Sequence, residues 1–352
     1  MNGKQFQNKW KVITEGADRT YLDFSVNINA LGLPRSVKEN LQEIADVLSV
    51  YPDPAGTYLT SCLATRYDVS EEQILCGNGA DDLLYRLVLS MKPKRAIIIE
   101  PTFEEYSRAL ELVGCEVQHY LLDSENEFTL DRGILSAIKP DCDMIFLCNP
   151  NNPTGQLISM SLLKEIVENC EKNDVLLVVD ECFIEFHPQW RGYTVKQLTA
   201  ENKNLIVLDA FTKTYSLAGF RLGFCVSGNR DLLEKMAVCG QSFGVSTPAQ
   251  FAGVCALQEE SYMEETYQML LPEREWLFQE LKKLPLTVYP SQGNFLLLRS
   301  SVEDIREELL EKGIKVRDCS QFYGLSSEYC RIAVRERSDN VLLLEALKEI
   351  LL

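Results

Sequence analysis

The chain has 352 residues, 46% hydrophobic and 25% charged, the balance of a soluble globular protein with room for about two domains. Its formal net charge of −17 argues against nucleic acid and anionic membrane surfaces as partners, since both attract basic patches. No apolar run reaches the roughly 18 residues a membrane span needs, and Met1-Asn2-Gly3-Lys4-Gln5 opens no signal peptide, so a cytoplasmic protein is expected. The 12 cysteines form no C-x2-C pair and only His119 and His187 accompany them, which speaks against a metal site and for reduced, mostly core thiols.

Near the N-terminus, Tyr21-Leu22-Asp23-Phe24 can pair as an edge strand. From about residue 70 to 230 helix and strand patterns alternate: helix Asp81 to Lys92, strand Ala96 to Ile99, helix Tyr106 to Val113, strand Cys115 to Leu122, strand Met144 to Cys148, helix Ser161 to Asn173, strands Val175 to Val179 and Leu205 to Leu208. Such alternation means a mainly parallel sheet covered on both faces. Beyond Thr247-Pro248 a long amphipathic stretch runs from Ala249 to Lys283, with Pro272 expected to kink or break it. Strands Thr287 to Tyr289 and Phe295 to Leu298, helix Val302 to Lys312, strands at Lys315-Val316 and Cys330 to Val334, and a helix near Asp339 to Leu351 then make a smaller α+β unit. The division expected is 35–250 for the large domain, with 1–34 and 251–352 forming the small domain and its N-terminal arm.

Five segments at strand–loop boundaries carry chemistry. Gly77-Asn78-Gly79-Ala80-Asp81-Asp82 precedes a helix, where glycines expose backbone N–H groups and the helix N-terminus favours an anion; the third glycine of a dinucleotide fingerprint is missing. Pro101-Thr102-Phe103-Glu104-Glu105-Tyr106 offers aromatic rings for a flat cofactor or for the core. Asn149-Pro150-Asn151-Asn152-Pro153-Thr154-Gly155 is a stiff turn that fixes an amide. Asp180 ends a buried strand, where a carboxylate needs a cationic partner such as a protonated pyridine nitrogen, or else caps the next helix. Finally, Thr212-Lys213 and Arg221 put a Schiff-base amine and a phosphate cation on one short loop after Leu205 to Leu208.

In this order the segments resemble the class I/II aminotransferase family of pyridoxal-phosphate (PLP) enzymes, fold type I, over essentially the full length. The resemblance implies an α/β fold whose large domain has a mainly parallel seven-stranded sheet sandwiched by helices, with a smaller α+β domain. It also implies that Lys213 forms the Schiff base with PLP and shuttles protons, that Asp180 pairs with the pyridine nitrogen, and that Asn152 bonds the phenolic oxygen. Tyr106, preferred over Phe103, stacks on the ring. Gly79, Ala80, Asp81, Thr212 and Arg221 hold the phosphate, and Tyr51 reaches the cofactor of the neighbouring subunit in a homodimer. The substrate is a small amino acid held by Arg331, with Asn29, Arg317 and Arg335 as further contacts.

Within the family the chain lies between histidinol-phosphate aminotransferases and threonine-phosphate decarboxylases. Asp23-Phe24-Ser25-Val26-Asn27-Ile28-Asn29, Thr212 before the lysine, Phe183, and Tyr329-Cys330-Arg331-Ile332-Ala333-Val334-Arg335 resemble the decarboxylase. Arginines at 317, 331 and 335 suit a carboxylate clamp and a phosphate clamp, or, for Arg317 and Arg335, a solvated surface pair. Two features depart from the decarboxylase: residues 1–20 hold no H-G-G-N, and Ala30 replaces a proline. The reading is decarboxylation of L-threonine O-phosphate, with transamination as the alternative. A PLP-sensing regulator is disfavoured by the acidic charge and by the short segment ahead of the fold, and a nicotinamide dehydrogenase by the missing glycine.

Overall fold

The computed structural model describes residues 21–302 and 305–352; the segment 1–20, and whatever stands there for the missing H-G-G-N, lies outside the described residues. Thirteen strands are present among them: β1 Leu22–Asp23, β2 Ile74–Gly77, β3 Arg95–Glu100, β4 Glu116–Leu121, β5 Met144–Cys148, β6 Leu176–Asp180, β7 Leu205–Ala210, β8 Gly223–Ser227, β9 Thr287–Val288, β10 Phe295–Arg299, β11 Ile314–Lys315, β12 Arg317–Asp318 and β13 Tyr329–Ala333. Seven of them form one sheet in the order β2-β8-β7-β6-β5-β3-β4.

Every residue of β5, β6 and β7 is buried, as a sheet covered on both faces requires. The two-residue period divides them cleanly. Ile98, Phe146, Val178 and Ile206 pack with residues of helices Ala80–Met91, Glu105–Glu111 and Arg230–Val238, whereas Ile97, Ile145, Leu177 and Val207 pack with those of helix Met160–Asn173. The central pairs are parallel, but β8 runs antiparallel to both β7 and β2. Residues just before β8 therefore share an edge with residues just after the other strands. That reversal brings Arg221 to the same side of the sheet as Lys213.

A second, antiparallel sheet of order β12-β13-β10-β9 packs with residues of helices Ser261–Leu281, Ile305–Glu311 and Arg337–Leu351 around Leu277, Phe295, Ile332 and Leu347. The N-terminal edge strand forms a separate two-stranded sheet, β1 running parallel to β11 with Leu22 opposite Ile314, and Phe24 is fully buried in this core.

The stretch expected as one long helix broken at Pro272 is instead two helices, Thr247–Gln258 and Ser261–Leu281, and the second runs through Pro272. The interruption falls at Glu259, whose carboxylate accepts the backbone N–H groups of Arg35 and Ser36 at 3.2 and 2.6 Å and so caps the helix Arg35–Glu39. Proline forfeits one intrahelical bond, and the buried side chains Leu270, Leu277 and Leu281 hold the helix across it. Residue 250, the expected limit of the large domain, falls inside the first of these helices, whose Ala249, Ala252 and Ala256 pack with Leu59 and Leu63.

Candidate active site

Outside the carboxyl ends of the parallel strands lies a cleft of about 410 Å³, where open α/β sheets place their ligands. Its floor is built from strand ends: Ala80 and Asp81 after β2, Phe103 after β3, Asn152 after β5, Asp180 at the end of β6, Thr212 and Lys213 after β7, and Arg221 before β8. Its other wall brings Ser25, Asn27, Arg317, Phe322 and Arg331 from the N-terminal segment and the small domain. Four cations (Lys213, Arg221, Arg317, Arg331) face three carboxylates (Asp81, Glu104, Asp180) in an otherwise acidic protein, which favours an anionic ligand.

The phosphate side of the cleft is a tight backbone cradle. Gly79 has φ +94°, and a Cβ there would stand 2.6 Å from the Arg221 guanidinium. A Cβ on Gly223 would meet the Ala80 nitrogen at 2.5 Å, so only glycine lets the start of β8 lie against the first turn of helix Ala80–Met91. Arg221, itself at φ +57°, reaches only a loose 3.5 Å contact with half-exposed Asp81. Its charge and the unbonded N–H groups of the first helical turn therefore converge on one small volume.

Asp180 is buried yet accepts only neutral donors among the described residues: the Tyr106 hydroxyl at 2.6 Å and the Cys182 backbone N–H at 3.0 Å. A carboxylate held this way is oriented but not charge-compensated, and a cationic ring nitrogen would complete it. Tyr106 is correspondingly no stacking ring. It is 1% exposed, lies beneath Asp180 and packs parallel to Phe146, and burial raises its hydroxyl well above the usual pKa. Phe103 lines the cleft in its place, a reversal of the expected preference that follows from Tyr106 lying one helical turn further into the core. Burial, reinforced by the charges of Arg331 and Arg221, lowers the Lys213 pKa to about 8 despite Cys182 and Asp81 nearby.

On the small-domain side, Arg317 and Arg331 are directly opposite across the β12–β13 pair, so both project from one face into the cleft. Arg331 donates to the Asn152 side-chain oxygen and, at 2.9 Å, to the Ser25 carbonyl; its Nε has no partner among the described residues. Burial, with the Arg317 charge beside it, lowers its pKa to about 10. Arg317 lies over Phe322 at 5.6 Å and makes only a 3.4 Å contact with Glu104.

Two expected substrate contacts are corrected. Arg335 lies beyond the end of β13, bonded to Asp339 at 2.7 Å and to the Asp23 carbonyl at 3.1 Å, and does not line the cleft. Asn29 is buried against the lysine loop instead, its amide donating to the Thr214 carbonyl and the Thr266 hydroxyl at 3.0 and 2.7 Å. Asn27, two residues earlier, lines the cleft instead: it is 2% exposed, with a side-chain N–H group that has no partner among the described residues. The alternation of the segment Asp23 to Asn29 puts Ser25, Asn27 and Asn29 in phase, and sequence alone does not tell which of the three reaches the ligand. Tyr51 lies away from this cleft, 80% exposed, with its ring 4.9 Å from Phe243.

The glycine cradle, the uncompensated Asp180 and the unpartnered atoms of Asn27 and Arg331 fit a flat, phosphorylated aldehyde cofactor with an amino-acid substrate beside it. Comparison with known proteins agrees. Residues 19–347 match the family model described as aminotransferase class I and II. The threonine-phosphate decarboxylase of Salmonella typhimurium is 39% identical, covering 94% of this chain and 91% of its own length. The histidinol-phosphate aminotransferase of Thermoanaerobacter pseudethanolicus is 33% identical, covering 91% and 90%. Among solved structures, the histidinol-phosphate aminotransferase from Clostridium acetobutylicum superposes with a TM-score of 0.87 at 28% identity, covering 94% of this chain and 98% of that one.

Proposed function

We propose that this chain, which belongs to the aminotransferase class I and II family, decarboxylates L-threonine O-phosphate or a closely similar phosphorylated amino acid. It is a PLP-dependent enzyme of fold type I. Bound PLP supplies the electron sink that takes up the pair released when a bond to the substrate α-carbon breaks. The chain's residues decide which bond that is, by holding one substituent perpendicular to the ring plane.

Arg331 is assigned the α-carboxylate, with Asn152 bridging from the arginine to the cofactor. Arg317 and the side-chain N–H of Asn27 are assigned the distal phosphate. Gly79, Ala80, Asp81, Thr212 and Arg221 would hold the cofactor phosphate, Phe103 would cover the ring, and Asp180 would keep a proton on the ring nitrogen. Lys213 anchors the cofactor and then carries the proton that replaces the departing carboxylate on the α-carbon. Carbon dioxide leaves, one proton enters, and the product is 1-amino-2-propanol phosphate.

The observation that carries this reading is the cross-strand pair Arg317 and Arg331 in the same cleft as Lys213, two guanidiniums for the two anions of one substrate. One observation bears on the substrate rather than on the reaction: Arg335 is committed to Asp339 and the Asp23 carbonyl, which leaves one fewer cation for a distal phosphate in either reading, decarboxylation or transamination. Incubation of holoenzyme with L-threonine O-phosphate separates the two. Release of carbon dioxide with the amine phosphate as product supports decarboxylation, whereas formation of the 2-oxo acid without carbon dioxide establishes the aminotransferase.

The homodimer belongs to the same proposal. Tyr51 packs near Phe243, and Leu48, Val50 and Tyr58 close to it in the chain are exposed as well; in a twofold assembly the Tyr51 hydroxyl would reach the partner's cofactor phosphate.

A further inference from the structure

We infer that His119 and Tyr323 are positioning residues: their stacked rings fasten the small-domain turn Cys319–Leu325 to the edge of the large sheet, and so set where Arg317 and Phe322 stand in the cleft. His119 lies on β4, the outermost strand of the large sheet, which among the described residues pairs only with β3. Its ring lies face to face with that of Tyr323, centroids 3.9 Å apart and planes within 10°. The ring is fixed from behind, because Nδ1 sits 3.1 Å from a carboxylate oxygen of Glu100 on β3. The other oxygen of Glu100 accepts the Thr102 N–H at 2.9 Å, and the Thr102 hydroxyl donates to Asn151 at 2.7 Å. The bonded chain thus ends in the turn that carries Asn152.

On the other side, Tyr323 directly follows Phe322, which is 2% exposed and lines the cleft while packing with Leu297, Cys319 and Tyr329. Hydrogen bonds from Phe322 N to Cys319 O and from Leu325 N to Phe322 O make the turn one compact unit. Gly324, at φ +85°, lets it lie on β4; a Cβ there would come within 2.8 Å of Leu121. Arg317 lies at the root of the turn over the Phe322 ring and also touches Glu104 of the large domain at 3.4 Å. A half-exposed tyrosine stacked on an edge-strand histidine is thus the outermost tie between the two sides of the cleft, at the point where the expected phosphate-binding arginine enters it.

The turn carries its own reporter. Cys319 is fully buried, and burial pushes its thiol up to about 12, so it reacts with an alkylating reagent only when the turn lifts. Iodoacetamide labelling of holoenzyme, read at Cys319 by peptide mass spectrometry, should proceed about fivefold faster in Tyr323→Ala and His119→Ala and at the wild-type rate in Tyr323→Phe, which keeps the stack. The consequence for substrate rests on the function proposed above. The apparent affinity for L-threonine O-phosphate, followed by the cofactor spectrum, should weaken about fivefold in both alanine variants and recover in the phenylalanine variant, with cofactor occupancy unchanged throughout. Unchanged labelling in both alanine variants would overturn the clasp. Faster labelling with unaltered affinity would overturn its positioning role. No spectral response of the wild type to this amino acid overturns the substrate assignment instead, and the labelling rates still decide the clasp.

Discussion

Lys213 is set where an ammonium is costly, and that cost is measurable in the cofactor-free protein. Its pKa falls from 10.5 in a free chain to about 8 in the fold. Between those values the unfolded chain binds the extra proton, so this lysine's contribution to stability rises with pH from about 8 upward; below that, both states are charged and the full penalty is present. Apo Lys213→Met should therefore be more stable than apo wild type at pH 7, by about 1–3 kcal/mol after allowance for partial exposure, and the advantage should shrink towards pH 10.5. Denaturant unfolding at several pH values checks this, and an advantage independent of pH would show that the ammonium is not desolvated. The same depressed pKa predicts that the rate at which apoprotein takes up PLP climbs with a midpoint near pH 8, since the neutral amine is the nucleophile. At this scale the sequence showed where a motif places a residue at a strand end, as for Lys213, Asp180 and Arg221, which all line the cleft. It was not readable where two candidates share a phase. Tyr106 against Phe103, and Asn27 against Asn29, are decided by which side chain the core absorbs, and no spacing encodes that.

Among the elements, the reversal of β8 matters most, because it carries Arg221 back to the edge where the parallel strands end. The joint is packed to the limit, with Gly79 and Gly223 leaving no space for a methyl group. Gly79→Ala must strain a left-handed backbone and displace the Arg221 guanidinium; it should weaken PLP binding about tenfold or more while costing only about 1–2 kcal/mol of stability. Titration of apoprotein with PLP, alongside a melting curve, measures both, and undiminished affinity would remove the cradle from the phosphate site. The strand β2 and the helix Arg230–Val238 were not singled out, whereas the strands β3 to β7 were legible because short apolar runs alternate with stretches of helical period. The interruption at Glu259 was not, since its cause is a capping bond to Ser36, more than two hundred residues away in the chain.

For the whole molecule, the cleft takes its floor from the strand ends of the large sheet, and Arg317 and Arg331 in its other wall from the second sheet. In the proposed dimer, Tyr51 would complete the cofactor site of the partner, which would make the dimer part of the catalyst. Sedimentation should give a species of twice the 40.0 kDa chain mass, and Tyr51→Ala should lower PLP affinity with the dimer retained; a monomer with full PLP affinity would contradict this. All of this depends on Lys213 being the residue that carries the cofactor. Borohydride reduction of the holoenzyme followed by peptide mass spectrometry tests it directly. The account predicts one pyridoxyl group per chain, on Lys213. Its appearance on another lysine, such as the buried Lys196 that is paired with Glu181 at 2.7 Å, or its absence from Lys213, would contradict it.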